Sequence, residues 1–100
     1  MAREHKFKLV DHEVFPVPNV LDWAKWYEAA DRRVDQTRVG DKIISTIFLG
    51  VDYNFGEGPP ILFETAVFLG GSTLRLKRYS TWEQAVEGHA EVVGEEEDAD

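Results

Sequence analysis

The spacing of apolar and polar positions divides the chain into eight segments. Phe7 and Leu9, then Val14, Phe15 and Val17, flank the turn-forming pair Asp11-His12, which predicts a hairpin. Pro16 and Pro18 confine its second arm to a sheet edge. Asn19 offers an N-cap, and Val20, Trp23, Ala24, Tyr27 and Ala30 recur at helical spacing, so a helix is expected from about Val20 to Arg32. Trp26 lies off that face, either as a flank of the core or as an exposed aromatic. Arg33 to Val39 alternates weakly. Lys42 to Val51 carries Ile43, Ile44, Ile47, Phe48, Leu49 and Val51. It is the strongest strand, and its two partly apolar faces place it centrally. Ile61 to Leu69 reads as a second central strand. In Leu74 to Tyr79, Leu74, Leu76 and Arg78 alternate with Arg75, Lys77 and Tyr79, the pattern of an outer strand with a charged face against water. Ser80-x-x-Glu83 has the form of a capping box. It opens a helix with Trp82, Ala85, Val86, His89 and Val93 on one stripe and Glu83, Glu87 and Glu91 on another. Gly94 is expected to end that helix.

The predicted order is ββαββββα. Neighbouring strands joined by short turns imply an α+β fold: one antiparallel sheet of about five to six strands with two helices packed on one face. One hundred residues make a single domain, expected over residues 1–94.

Charge adds a tail to this picture. The net charge is −8, yet residues 83–100 hold eight acids and no Lys or Arg, leaving 11 acids against 11 bases in the other 82 residues. A body without net charge argues against non-specific nucleic-acid binding, which needs a basic stripe. The run Glu95-Glu96-Glu97-Asp98-Ala99-Asp100 repels itself, so residues 95–100 are expected to form a disordered acidic tail. With no cysteine there is no disulfide framework or thiol nucleophile. No apolar run approaches the roughly 20 residues of a membrane span, and the polar start lacks the form of a secretory signal. The expected setting is cytoplasmic, without membrane association.

Few residues invite chemistry. Asp52-x-Asn54-x-Gly56 echoes the start of a calcium loop. However, Glu57 stands where the tight-turn glycine belongs, and Phe63 where the bidentate Glu is needed. Asp52, Asn54 and Glu57 are therefore weak metal candidates, and a turn capped by Asp and Asn side chains is the plainer reading. The same loop presents Tyr53 and Phe55 among Gly56, Gly58, Pro59 and Pro60, residues that shape a backbone rather than fill a core. Glu64 interrupts an apolar strand, and a carboxylate there needs a partner if buried; Thr46, Arg75, Arg78 and His89 are candidates. His89 lies on the apolar stripe of the last helix, where a packed histidine with one hydrogen bond is expected. No nucleophile elbow, dinucleotide fingerprint or phosphate loop is present, and no cofactor is implied.

The stretch Ser45-Thr46-Ile47-Phe48-Leu49-Gly50-x-Asp52-x-Asn54-Phe55-Gly56-x-Gly58-Pro59-Pro60-x-Leu62-Phe63-Glu64-Thr65, with Arg78-Tyr79-Ser80-Thr81-Trp82-Glu83-x-Ala85-x-x-Gly88-His89, resembles a family of small phage and prophage proteins. Asp22-Trp23-Ala24-x-Trp26 fits the same pattern, and the resemblance spans Val14 to about Val92. Ala66 departs from it, since Met is expected after Thr65. The resemblance implies a phage accessory or host-directed role without implying any chemistry.

Two functional readings follow. In the first, the chain is a non-enzymatic accessory protein that binds a host or phage protein through Tyr53, Asn54, Phe55, Glu57 and Trp26. Inhibition of a host defence protein such as a CRISPR effector is one version of it. In the second, Asp52, Glu57, Glu64 and His89 form a small enzymatic or metal-dependent site, which requires them to converge. A homodimer pairing through sheet edges or Trp26 is a third arrangement.

Overall fold

A computed structural model describes residues 4–99. The element order is β1 (Phe7–Val10), β2 (Glu13–Pro16), α1 (Val20–Ala29), β3 (Arg33–Val39), β4 (Lys42–Phe48), β5 (Phe63–Leu69), β6 (Ser72–Tyr79) and α2 (Trp82–Ala99). The fold is α+β, and the order is the one read from the sequence. The strands do not form the expected single sheet. β1 and β2 make a two-stranded hairpin, and β3-β4-β5-β6 make a separate antiparallel sheet of four.

The reason lies at Gly50. Its φ of +77° turns the chain out of the β4 direction. The β1 side then meets the segment 50–52 only through one bridge, Lys6 with Val51, and through Phe7 N–H to Gly50 O and Asp52 N–H to His5 O. Trp23 Nε1–H donates to the carbonyls of Phe7 and Gly50, both at 3.0 Å, and clamps this junction. The Tyr27 ring would stand 3.1 Å from a Cβ at Gly50, so the positive φ, and to a lesser degree the tight space, favour glycine.

The hairpin turn is Asp11-His12, as the sequence predicts, with both residues at positive φ. The His12 ring stacks on Trp82 at 3.7 Å, which docks the hairpin against the start of α2. In α1, Asn19 Oδ1 accepts the N–H groups of Leu21 and Asp22, and the helix stops at Ala29. No residue of α1 is fully buried. Trp26 is half-buried with its ring edge against Phe48, so it is a flank of the core rather than an exposed anchor.

α2, α1 and the hairpin all lie on one face of the four-stranded sheet. One core cluster holds Phe7, Phe48, Leu62, Phe63, Tyr79 and Ala85, and a second holds Val39, Ile44, Val67 and Val92. The cap of α2 differs by one residue from the sequence reading. Thr81 Oγ1 accepts Gln84 N–H, while Gln84 Oε1 accepts the N–H groups of Ser80 and Thr81. The box is thus Thr81-x-x-Gln84, the same reciprocal chemistry with an amide in place of the Glu83 carboxylate. The buried stripe is Ala85, Gly88, His89 and Val92; Val86 is exposed. The helix does not end at Gly94 but runs to Ala99. Glu96 meets Lys42 at 3.2 Å and Arg75 at 3.4 Å, and Glu95 meets Arg75 at 3.2 Å. Partners on the sheet therefore order most of the segment expected to be a disordered tail; Asp100 lies outside the described residues. Among the described residues no helix is long and apolar enough to cross a membrane.

Candidate interaction surface

His89 is the most constrained polar side chain. It is 2% exposed and sits between α2 and the sheet. Its Nε2 lies 2.8 Å from Thr37 Oγ1 on β3, and its Nδ1 lies 2.7 Å from Thr46 Oγ1 on β4. Thr46 is hydrogen-bonded to Thr65 on β5, which accepts from Tyr79 Oη–H on β6. Every strand of the sheet gives one hydroxyl to this relay. With the imidazole neutral, one proton order that satisfies every contact has Tyr79 donating to Thr65, Thr65 to Thr46, Thr46 to Nδ1, and Nε2–H to Thr37; the opposite tautomer, with Nδ1–H donating to Thr46 and Thr37 to Nε2, satisfies them too. Burial favours the neutral imidazole by lowering its pKa, opposed by the Asp35 carboxylate 3.7 Å away. Both ring nitrogens are occupied and water is excluded, so the relay fastens α2 to the sheet rather than facing a substrate. Gly88 belongs to the same construction, because a Cβ there would overlap the Tyr79 ring.

The four residues of the enzymatic reading do not converge. Glu64 lies on the opposite face of the sheet from His89, bound to Arg78 Nε–H at 2.9 Å. Glu57 is exposed. Asp52 is buried at the base of its loop, where Oδ1 accepts the N–H groups of Asn54 (2.7 Å) and Ile61 (2.9 Å). Among the described residues no three His, Asp or Glu side chains are grouped to hold a metal.

The loop that Asp52 anchors is fixed from within. Asn54 Nδ2 donates to the carbonyls of Glu57 (3.1 Å) and Pro59 (2.8 Å), and its Oδ1 accepts Gly56 N–H (2.9 Å). Asp52 and Asn54 act as turn caps, which accounts for their types and spacing. Asn54 thereby serves the backbone, while Phe55 is 88% exposed at the tip. Tyr53 is exposed beside it and carries the Arg78 guanidinium over its ring at 4.9 Å.

Arg78 links this loop to the face of the sheet away from α2. Cross-strand register places three rows there: Arg38, Ile43, Phe68 and Thr73; Gln36, Ser45, Ala66 and Leu76; Arg33, Ile47, Glu64 and Arg78. Leu74 is the extra residue of a bulge opposite Phe68. No element of the chain among the described residues covers this face. Phe68, Leu74 and Leu76 are 38%, 50% and 51% exposed. The expectation for β6 is thus inverted. Its leucines face solvent, while Arg75 and Lys77 face the acids of α2, with Lys77 Nζ 3.1 Å from Glu91. Alternation alone gave no sign for the two faces. The sign was present in the match between Arg75 and Lys77 and the acids at 91, 95 and 96.

No family model, curated protein or solved structure matches the chain.

Proposed function

We propose that the chain is a non-enzymatic protein-binding module whose anchor is the loop 52–60, with Tyr53 and Phe55 as the contact side chains. One observation carries this reading: Phe55 stands 88% exposed on a loop whose backbone is already held by Asp52 and Asn54. A large apolar side chain presented on a pre-ordered loop binds with little further loss of conformational entropy. Asn54 sets the loop's shape and Glu57 sits on its rim; Trp26, half-buried against Phe48, is given no part in this anchor. The resemblance to small phage and prophage proteins favours an accessory role in a host cytoplasm, with a host or phage protein as partner. Inhibition of a host defence protein such as a CRISPR effector is the version to test first.

The test compares wild type with Phe55→Ala and Tyr53→Ala. A host carrying an active CRISPR system is scored for phage plaquing while the chain is expressed, and proteins retained by the immobilised chain are quantified. Wild type is expected to retain one partner in stoichiometric amount. Phe55→Ala should weaken that binding by about 2 kcal/mol, roughly 30-fold, with an unchanged melting temperature. Retention unaffected by either substitution would defeat the loop as the anchor.

A further inference from the structure

The two faces of the four-stranded sheet share one plan. On the covered face, an apolar centre (Ile44, Phe48, Phe63, Val67) is bordered by basic side chains, Lys42 on β4 and Arg75 and Lys77 on β6. What covers part of that centre is an amphipathic helix, α2, whose apolar stripe of Ala85 and Val92 is flanked by Glu91, Glu95 and Glu96. On the uncovered face, the two central strands present Ile43, Ser45 and Ile47 beside Glu64, Ala66 and Phe68, with Leu74 and Leu76 next to them on β6. Its borders are again basic, with Arg33 and Arg38 on β3 and Arg78 on β6. Arg78 is paired with Glu64, the one acid on this face. An antiparallel sheet that faces water normally turns polar residues outward; this one mixes them with apolar side chains, of which Phe68, Leu74 and Leu76 are exposed.

We infer that the uncovered sheet face binds an amphipathic helix of a partner protein whose apolar stripe is flanked by Asp or Glu. The inference rests on the reading of the chain as a protein-binding module and names the chemistry of what is bound. Size agrees. Strand spacing of about 4.8 Å and a rise of about 3.3 Å per residue make the face roughly 20 Å on a side. A helix of about 14 residues spans that length. Charge selects against the other occupants. Two copies placed face to face oppose six arginines to two glutamates, in a chain whose net charge is −8, so self-pairing gains nothing from electrostatics. A nucleic acid meets arginines here as well. The exposed apolar side chains, however, are mainly aliphatic, where base recognition uses aromatic platforms.

The probes are two synthetic 16-residue helical peptides with an identical Leu/Ile stripe, one flanked by Glu and one by Lys. Each is titrated at low ionic strength into the full chain carrying labelled Ile and Leu methyl groups. The Glu-flanked peptide should bind at least about tenfold more tightly than the Lys-flanked one. Its shifts should fall on Ile43, Ile47, Leu74 and Leu76. Leu76→Asp should abolish binding without lowering the melting temperature, with Leu74→Asp as the second variant should Leu76→Asp unfold. Arg33→Glu with Arg38→Glu should erase the preference between the peptides. Equal or tighter binding of the Lys-flanked peptide overturns the inference. So does the absence of methyl shifts on this face with either peptide, or shifts there with a single-stranded oligonucleotide alone. A concentration-dependent dimer that Leu76→Asp dissociates also overturns it, in favour of a second copy. Phe55→Ala separates the two proposals. If the peptide binds at the face equally well in Phe55→Ala, the face stands independently of the loop. If the partner retained by wild type is lost in Phe55→Ala but held by Leu76→Asp, the loop reading stands and the face is not an interface.

Discussion

The covered and uncovered faces of the sheet are built from the same four strands, yet they solve opposite problems. Toward α2, every polar group has a partner: the hydroxyls of Thr37, Thr46, Thr65 and Tyr79 close on His89, and the flanking cations close on glutamates. On the other side the apolar groups lack a cover while the arginines border them. Burial and polar pairing thus go together on the first face, whereas on the second Arg78 and Glu64 are paired beside apolar side chains left exposed. Internal stability therefore resides in the first face, and the second is the one proposed above for association.

The largest test of this division replaces one central side chain on each face. Phe63 is fully buried, and Phe63→Ala should cost about 3–5 kcal/mol of stability by denaturant unfolding. Leu76→Ala, on the same sheet but half exposed, should cost less than about 1 kcal/mol. Comparable losses at the two positions would mean that the second face is already covered in solution.

A smaller effect is expected at the relay. Thr46→Val keeps the shape but removes the hydroxyl shared by His89 Nδ1 and Thr65, so it should cost about 1–3 kcal/mol. The same site predicts a pH dependence with a definite sign. Burial lowers the folded-state pKa of His89, so the unfolded chain binds the proton more readily. The relay's contribution is complete above the unfolded value of about 6.5 and is lost as the pH falls toward the lowered folded value. Unfolding curves at pH 7.5 and 5.5 should show this fall in wild type and a shallower one in His89→Asn. An identical slope in both would show that His89 takes up its proton equally in the folded and unfolded chain.

The smallest effect lies where α2 leaves the sheet. Glu96→Gln removes the carboxylate shared by Lys42 and Arg75 and should cost at most about 1 kcal/mol, less in high salt. Amide exchange in residues 95–99 should quicken with it. Unchanged exchange would show that the last turn does not depend on these pairs.

Element order was legible because each segment carries a strong local signal: β-branched runs in β4 and β5, Asn19 before α1, and Asp11-His12 in the hairpin. What was not legible depends on contacts between distant segments. The split into two sheets turns on Gly50, Trp23 and Tyr27 meeting in space. The persistence of α2 beyond Gly94 depends on Lys42 and Arg75, which lie far from residues 95–99 in sequence. The side of β6 that faces water could not be settled by alternation, since a row of arginine and lysine suits either water or a layer of glutamates. In the candidate site, Tyr53 and Phe55 stood out by composition, whereas the apolar sheet face became visible only once register had aligned Ile43, Phe68 and Leu76.

Gly88 imposes a rule on which sequences this fold can accept. Because the Tyr79 ring occupies the space of a side chain at 88, the two positions can vary only together. Alanine at 88 gains helix propensity of up to about 1 kcal/mol but must expel an aromatic that also holds Thr65. Shrinking residue 79 makes room yet leaves the hydroxyl of Thr65 without its donor. A chain of this architecture that keeps tyrosine at 79 must therefore keep glycine at 88.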